Sequence, residues 1–75
     1  LKHLDIDYYS NSGCHYCTET NYMFKKAGVY DDLNVKKDTR LPKGVTGVPY
    51  FYSNKTGKSH TGFPGSVDKL IRKLS

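Results

Sequence analysis

The stretch Tyr9-Ser10-Asn11-Ser12-Gly13-Cys14-His15-Tyr16-Cys17 decides how the rest of this chain is read. It holds both of the chain's cysteines, three positions apart, directly behind a Ser-Asn-Ser-Gly turn signal. A disulfide closing so small a loop removes little entropy from the unfolded chain, so a structural staple explains the pair poorly. Two chemistries fit the spacing: a redox dithiol, or half of a zinc site. Zinc takes four ligands and there is no second Cys pair, so only His3, His15 and His60 are left to complete the set. His15 lies inside the pair, where ligand geometry is poor. The dithiol is the better-supported of the two.

Upstream, Leu4-Asp5-Ile6-Asp7-Tyr8-Tyr9 alternates apolar and polar residues and predicts a first strand running into the turn. Downstream, Cys17, Thr20, Phe24 and Ala27 recur at helical spacing with Met23 beside them, which predicts a helix from about Cys14 to Ala27. Glu19 is read in its first turn, Lys25 and Lys26 in its last, and Gly28 as its stop signal. Val29-Tyr30, Leu33 and Val35 predict a second strand with an acidic turn at Asp31-Asp32. Thr39 to Gly44 is too short and broken for more than one helical turn. Val48-Pro49-Tyr50-Phe51-Tyr52 is a dense run of β-formers, Asn54-Lys55-Thr56-Gly57 a turn, and Lys58 to Thr61 the returning hairpin strand. Gly62-Phe63-Pro64-Gly65 breaks the chain once more. Ser66 then fits the N-cap of a last helix, with Val67, Leu70, Ile71 and Leu74 as its apolar face and Lys69, Arg72 and Lys73 outside.

Length and composition bound the rest. Seventy-five residues leave room for one domain, residues 1–75, with a small core: about 60% of the unfolded surface is hidden at this size. Mean hydropathy is low at −0.69. Seven Tyr and three Phe supply much of the apolar mass, since large rings bury their bodies and leave a polar tip wet. Net charge is +5, with the basic residues dispersed along the chain, so a nucleic-acid partner is not expected. No run approaches the roughly 18 apolar residues of a membrane span, and no leader is visible in the sequence. A cytoplasmic monomer without membrane contact is the expectation.

The cysteine segment is similar to the glutaredoxin segment Tyr-[Ser/Thr]-Lys-x-x-Cys-Pro-Tyr-Cys, and Val48-Pro49-Tyr50-Phe51 to its Thr-Val-Pro-x-[Ile/Val]-Phe. The hairpin from Gly57 and the turn from Gly65 into the last helix resemble the end of that family. In this order the motifs cover nearly the whole chain. Three departures stand out: Asn11 replaces the family's Lys, His15 its Pro, and the Gly pair is split into Gly62-Phe63-Pro64-Gly65. The resemblance implies an α/β architecture, a minimal thioredoxin fold. Its order is β-α-β-β-β-α, with a four-stranded mixed sheet and glutaredoxin's second helix shortened or missing. It also implies a glutathione-dependent thiol–disulfide oxidoreductase that acts on protein disulfides and glutathione mixed disulfides. Glutathione is then a co-substrate, and no cofactor is tightly bound.

The reacting species is a thiolate. At a helix start Cys14 meets unpaired backbone N–H groups and the positive end of the dipole, and both favour the anion. A protonated His15 would add a cation nearby. Cys17 lies one turn in, shielded. Cys14 is therefore the expected attacking sulfur and Cys17 the resolving one. In the family the bond before Pro49 is cis and faces the dithiol, and X–Pro amides adopt cis far more readily than others. The Val48 backbone is then free to pair with an extended substrate. Tyr16 is expected to line that groove. The Gly65 and Ser66 N–H groups are candidates for a carboxylate, and Arg40 and Lys43 for replacing the absent Lys as carboxylate partners. Asp68 is a candidate for an amino group of glutathione. Asp5 and Asp7 are expected to face water, with a proton relay to Cys17 as the alternative, and His3 and His60 are read as surface strand residues.

Two other uses of the same residues stay open: a thioredoxin-like reductant recycled by a flavoprotein reductase, and a metal or iron–sulfur module using Cys14, with glutathione, between two protomers.

Overall fold

Period-two alternation along β1 (Ile6–Ser10) buries Ile6, Tyr8 and Ser10 and turns Asp7 and Tyr9 to the other face. The computed structural model covers residues 1–75. After β1 come α1 (His15–Lys26), β2 (Asn34–Lys37), β3 (Tyr50–Ser53), β4 (Ser59–Thr61) and α2 (Val67–Leu74). The sheet order is β2-β1-β3-β4, with β1 parallel to β2 and antiparallel to β3, and β3 antiparallel to β4. This is a small α/β domain with a mixed four-stranded sheet and two helices, in the expected element order.

Both helices cover one face. Phe24 from α1 and Leu70 and Leu74 from α2 meet Ile6, Tyr8 and Phe51 in one buried cluster. Phe51 sits between the layers: its ring stacks on Tyr8 at 4.9 Å and meets Phe24 edge-on at 5.9 Å. On the opposite face Asp7 pairs with Tyr52, and Tyr9 with Tyr50. No helix lies in the connection from β2 to β3. Pro42 of that connection joins Asp7, Tyr9, Tyr50 and Tyr52 around a cavity of about 260 Å³.

Several sequence expectations are corrected. Leu4 belongs to a 3-10 turn (Lys2–Leu4), not to β1, because Asp5 adopts a left-handed backbone with φ of 48° and turns the chain. Val29 and Tyr30 are not strand. Gly28, at φ of 73°, ends α1 in a Schellman motif: its N–H donates to the Lys25 carbonyl, and the Val29 N–H to the Phe24 carbonyl. Val29 then packs on the core, and Tyr30–Asp32 forms a second 3-10 turn. Ala27, expected on the buried face, is exposed because the helix has already closed there. Glu19 lies beyond the first turn of α1, and that turn carries no acid. Strand β3 begins only at Tyr50, after Val48 and Pro49. His3 lies in the first 3-10 turn, and His60, in β4 as expected, is half-buried and not fully at the surface: β4 pairs it with Phe51, and its ring rests 6.3 Å from the Phe51 ring.

Replacing Phe51 by Ala should cost about 3–5 kcal/mol. That is a large share of the roughly 5–15 kcal/mol a domain has in total. Urea unfolding should show a collapsed midpoint; a shift of under 1 M in midpoint would show that the aromatic layer matters less than its burial implies.

Candidate active site

Backbone geometry brings the two sulfurs to one end of the sheet. Strand β1 ends at Ser10, and the Cys14 N–H donates to the Asn11 carbonyl at 3.3 Å, folding the turn. Cys14 is the N-cap of α1, with an extended backbone at φ −96° and ψ 115°. Its sulfur accepts the Cys17 N–H at 3.1 Å, the place a Ser or Asp oxygen takes in common N-caps. The Thr18 N–H and hydroxyl both donate to the Cys14 carbonyl, at 3.2 and 3.3 Å. Both cysteines are free thiols, Cys14 partly exposed and Cys17 buried.

Burial pushes the Cys17 thiol up to about 11, and its hydrogen bond with Cys14 adds to the rise. Beneath it lies Tyr8, whose hydroxyl donates to Asn21 Oδ1 at 2.6 Å and toward the Cys17 carbonyl at 3.4 Å. Burial first, and Cys17 second, hold the Tyr8 phenol well above its ordinary range. Sequence reasoning treats Tyr8 only as a strand residue. Its inward position follows from the β1 alternation, and Asn21 comes one helical turn after Cys17, so a signal for the pair exists.

Across from Cys14 the Val48–Pro49 bond is cis, and the Cys14 sulfur lies 3.9 Å from the Val48 carbonyl. Pro49 is buried, and its carbonyl accepts the Gly62 N–H at 2.7 Å, which ties the turn before α2 to this edge of the site. Cys14, Cys17, Val48 and Pro49 are thus brought together. Tyr16 is 61% exposed and meets His15 edge-on at 5.5 Å. The His15 Nε2 sits 3.7 Å from Glu19 Oε1, so the imidazole is directed along the helix to a carboxylate. The Ser66 hydroxyl accepts the Lys69 N–H at 3.1 Å as N-cap of α2, and Gly65 lines a groove on α2. Arg40 and Lys43 are exposed and make no ion pair. Asp68 stands exposed in the first turn of α2. Asp5 and Asp7 form no relay to Cys17: each accepts the Asn34 side-chain N–H, at 2.8 and 3.1 Å. No group of three or more His, Cys, Asp or Glu side chains is gathered anywhere in the fold.

Matched against family models, curated proteins and solved structures, the chain finds no counterpart.

The turn carrying Cys14 has a second fastening that no sequence pattern discloses. The Asp38 carboxylate accepts the Ser12 N–H at 2.8 Å and the Ser12 hydroxyl through a very short bond. Asp38 comes directly after β2 with φ of 55°, and its own N–H donates to the Ser10 carbonyl at 2.8 Å. The two Ser12 bonds hold its carboxyl below the usual range. A depressed carboxyl favours the fastened turn above the ordinary Asp value, and that benefit is lost as pH falls through the lower folded value. The Ser12 amide signal should therefore titrate with a midpoint below about 3.9, and Asp38→Asn, which tolerates the backbone, should abolish the titration. A Ser12 midpoint at or above that value would refute the fastening.

Exposure and burial also separate the two thiols. At neutral pH iodoacetamide should label Cys14 at least tenfold faster than Cys17, read by peptide mass. Equal rates would remove the asymmetry.

Proposed function

We propose that this chain is a glutaredoxin-like thiol–disulfide oxidoreductase, built on a minimal thioredoxin-like fold. It would reduce protein disulfides and glutathione mixed disulfides through Cys14 and Cys17. The observation that carries the reading is the arrangement at the start of α1. An accessible sulfur accepts a backbone N–H, a second thiol is buried one turn behind it, and the Val48 carbonyl stands opposite, ahead of Pro49. The sheet order and element order are compatible with that fold.

The chemistry runs in two exchanges. The Cys14 thiolate attacks one sulfur of the substrate disulfide; a Cys14–substrate bond forms, the substrate S–S bond breaks, and the departing sulfur takes up a proton. The Cys17 N–H remains to hold negative charge on Cys14 whenever it returns as the leaving group. Cys17 then gives up its proton and attacks Cys14. The Cys14–Cys17 disulfide forms and the second substrate sulfur leaves, so two electrons have passed to the substrate. Two glutathione molecules restore the dithiol and leave as glutathione disulfide. A flavoprotein reductase is the alternative donor. The raised Cys17 proton affinity keeps it quiet until the mixed disulfide forms. That disulfide removes the Cys14 hydrogen bond that helped to raise it. Val48 is the backbone group placed to pair with an extended substrate, and Tyr16 offers an exposed ring beside the thiols.

Reduction of a glutathionylated peptide, coupled to glutathione and its reductase, tests the proposal. Cys14→Ser should abolish turnover. Cys17→Ser should accumulate a mixed disulfide on Cys14, visible as an added substrate mass. A Cys14→Ser variant as active as the parent would end the proposal; activity only with a flavoprotein reductase would transfer it to the alternative donor.

A further inference from the structure

On the opposite flank of α2, chemistry unrelated to the dithiol comes together. His60 of β4, the turn at residues 63–65, and Lys69, Arg72 and Lys73 of α2 line a groove of about 600 Å³. Neither cysteine, nor Tyr16, Val48 or Pro49, borders it. No carboxylate borders it either, and Asp68 on the same helix lies outside. The one ionic contact in the chain joins His15 to Glu19, so all three cations lack a carboxylate partner.

Four features make this more than a solvated helix face. Lys69, Arg72 and Lys73 stand at i, i+3 and i+4, where like charges destabilise a helix. Leu70 and Leu74 lock the opposite side of α2 into the core, so the helix cannot turn this face away from the groove. Lys69 is folded back along the turn: a Cβ on Gly65, which sits at φ of 88°, would meet the Lys69 Cδ at 3.1 Å. Finally, His60 Nε2 is buried without any hydrogen-bond partner, on a side chain that lines the same groove. Buried polar atoms are almost always partnered, and this orphan one belongs to a ring that shares its groove with three unpaired cations.

We propose that the groove binds the phosphoryl group of a small soluble phosphoester. Lys69, Arg72 and Lys73 supply its charge partners, and the His60 ring turns so that Nε2, closed to solvent in the free protein, bonds one of its oxygens. A carboxylate has two oxygens and one charge, too few for the four groups that line the groove. A phosphoryl group has more oxygens and up to two charges, and the Arg72 fork matches two of those oxygens at once. The groups around His60 are Lys69, Arg72 and Lys73 from α2, Phe51 from β3, and the backbone at Gly62 and Phe63. Burial, and then Lys73, lower its proton affinity in the free protein. A bound phosphoryl anion offsets both, so His60 gains a proton more readily when the groove is filled.

The test is an NMR titration of the full chain with inorganic phosphate at constant ionic strength and pH 7. Saturable shifts should appear at the His60 ring nitrogens and at the amides of residues 69–73, with His60 moving toward its protonated pattern. Arg72→Gln and Lys73→Gln, both on the exposed side of α2, should each weaken binding at least tenfold. Lys36→Gln removes the same charge from β2 and should leave binding unchanged, as should Cys14→Ser. Glycerol phosphate should compete. Linear shifts without saturation, or an equal loss in Lys36→Gln, would mean general charge attraction, an adventitious ion only, and overturn the assignment. Retention on phosphatidic-acid vesicles without competition by glycerol phosphate would overturn the soluble ligand.

Discussion

A helix begins with backbone N–H groups that no carbonyl within it can reach, and here one of them is met by a sulfur. That single contact, from the Cys17 N–H to Cys14, governs the geometry of the whole site. It sets Cys14 outside the helix with an extended backbone and forces Cys17 one turn in, on the side that faces the sheet. Sulfur is a weaker acceptor than a Ser or Asp oxygen, so the cap alone does little for the stability of α1. The extra bonds around it supply the difference. Thr18 closes on the Cys14 carbonyl twice, and Asp38 holds Ser12 from the end of β2. The turn is thereby held by its neighbours, and the sulfur is left at the surface.

Beneath the site, Tyr8 joins the core to the dithiol. One end of its side chain stacks on Phe51 and meets Phe24; the other donates to Asn21 beside Cys17. A phenol is suited to this place because its ring is apolar and its tip needs a partner. A shift of β1 by one residue would put Tyr9 inward and Tyr8 out, and the layer below Cys17 would lose both functions. The same register pairs Asp7 with Tyr52 and Tyr9 with Tyr50 on the far face. The parity of β1 therefore decides which tyrosines serve the core and which line the opposite cavity.

Much of this is legible in the sequence because the signals are local. Period-two alternation discloses Ile6 and Tyr8, helical spacing discloses Phe24, Leu70 and Leu74, and Ser66 is readable as an N-cap. The Cys-x-x-Cys and Val-Pro segments are expected to meet, and Cys14 does approach Val48. What escapes is either irregular or distant. Val29 looks like a strand residue by composition, yet Gly28 makes it the closing contact of a helix. The Ser12–Asp38 fastening spans 26 positions, and no local pattern links its ends. His60 reads as an alternating polar residue in an edge strand; only the pairing of β4 with Phe51 shows that its ring is half enclosed. Asp5 and Asp7 look like free acids until parallel pairing sets Asn34 between them.

The two ends of the helix-covered face carry opposite electrostatic problems. At the start of α1 the fold sets a backbone N–H on the Cys14 sulfur, and it buries the Cys17 sulfur so that this one holds its proton. Along α2 it gathers positive charge with nothing negative to meet it, and encloses an imidazole nitrogen without a partner. The first arrangement is complete within the chain, since its donors and acceptors find one another. The second is not, because relief can come only from outside. A short chain with so small a core has little stability to spare, and unrelieved like charge on a core helix draws on it. That the repulsion sits on α2, whose leucines hold the layer beneath Phe51, links occupancy of the groove to the firmness of the sheet on which Tyr8 and the dithiol stand.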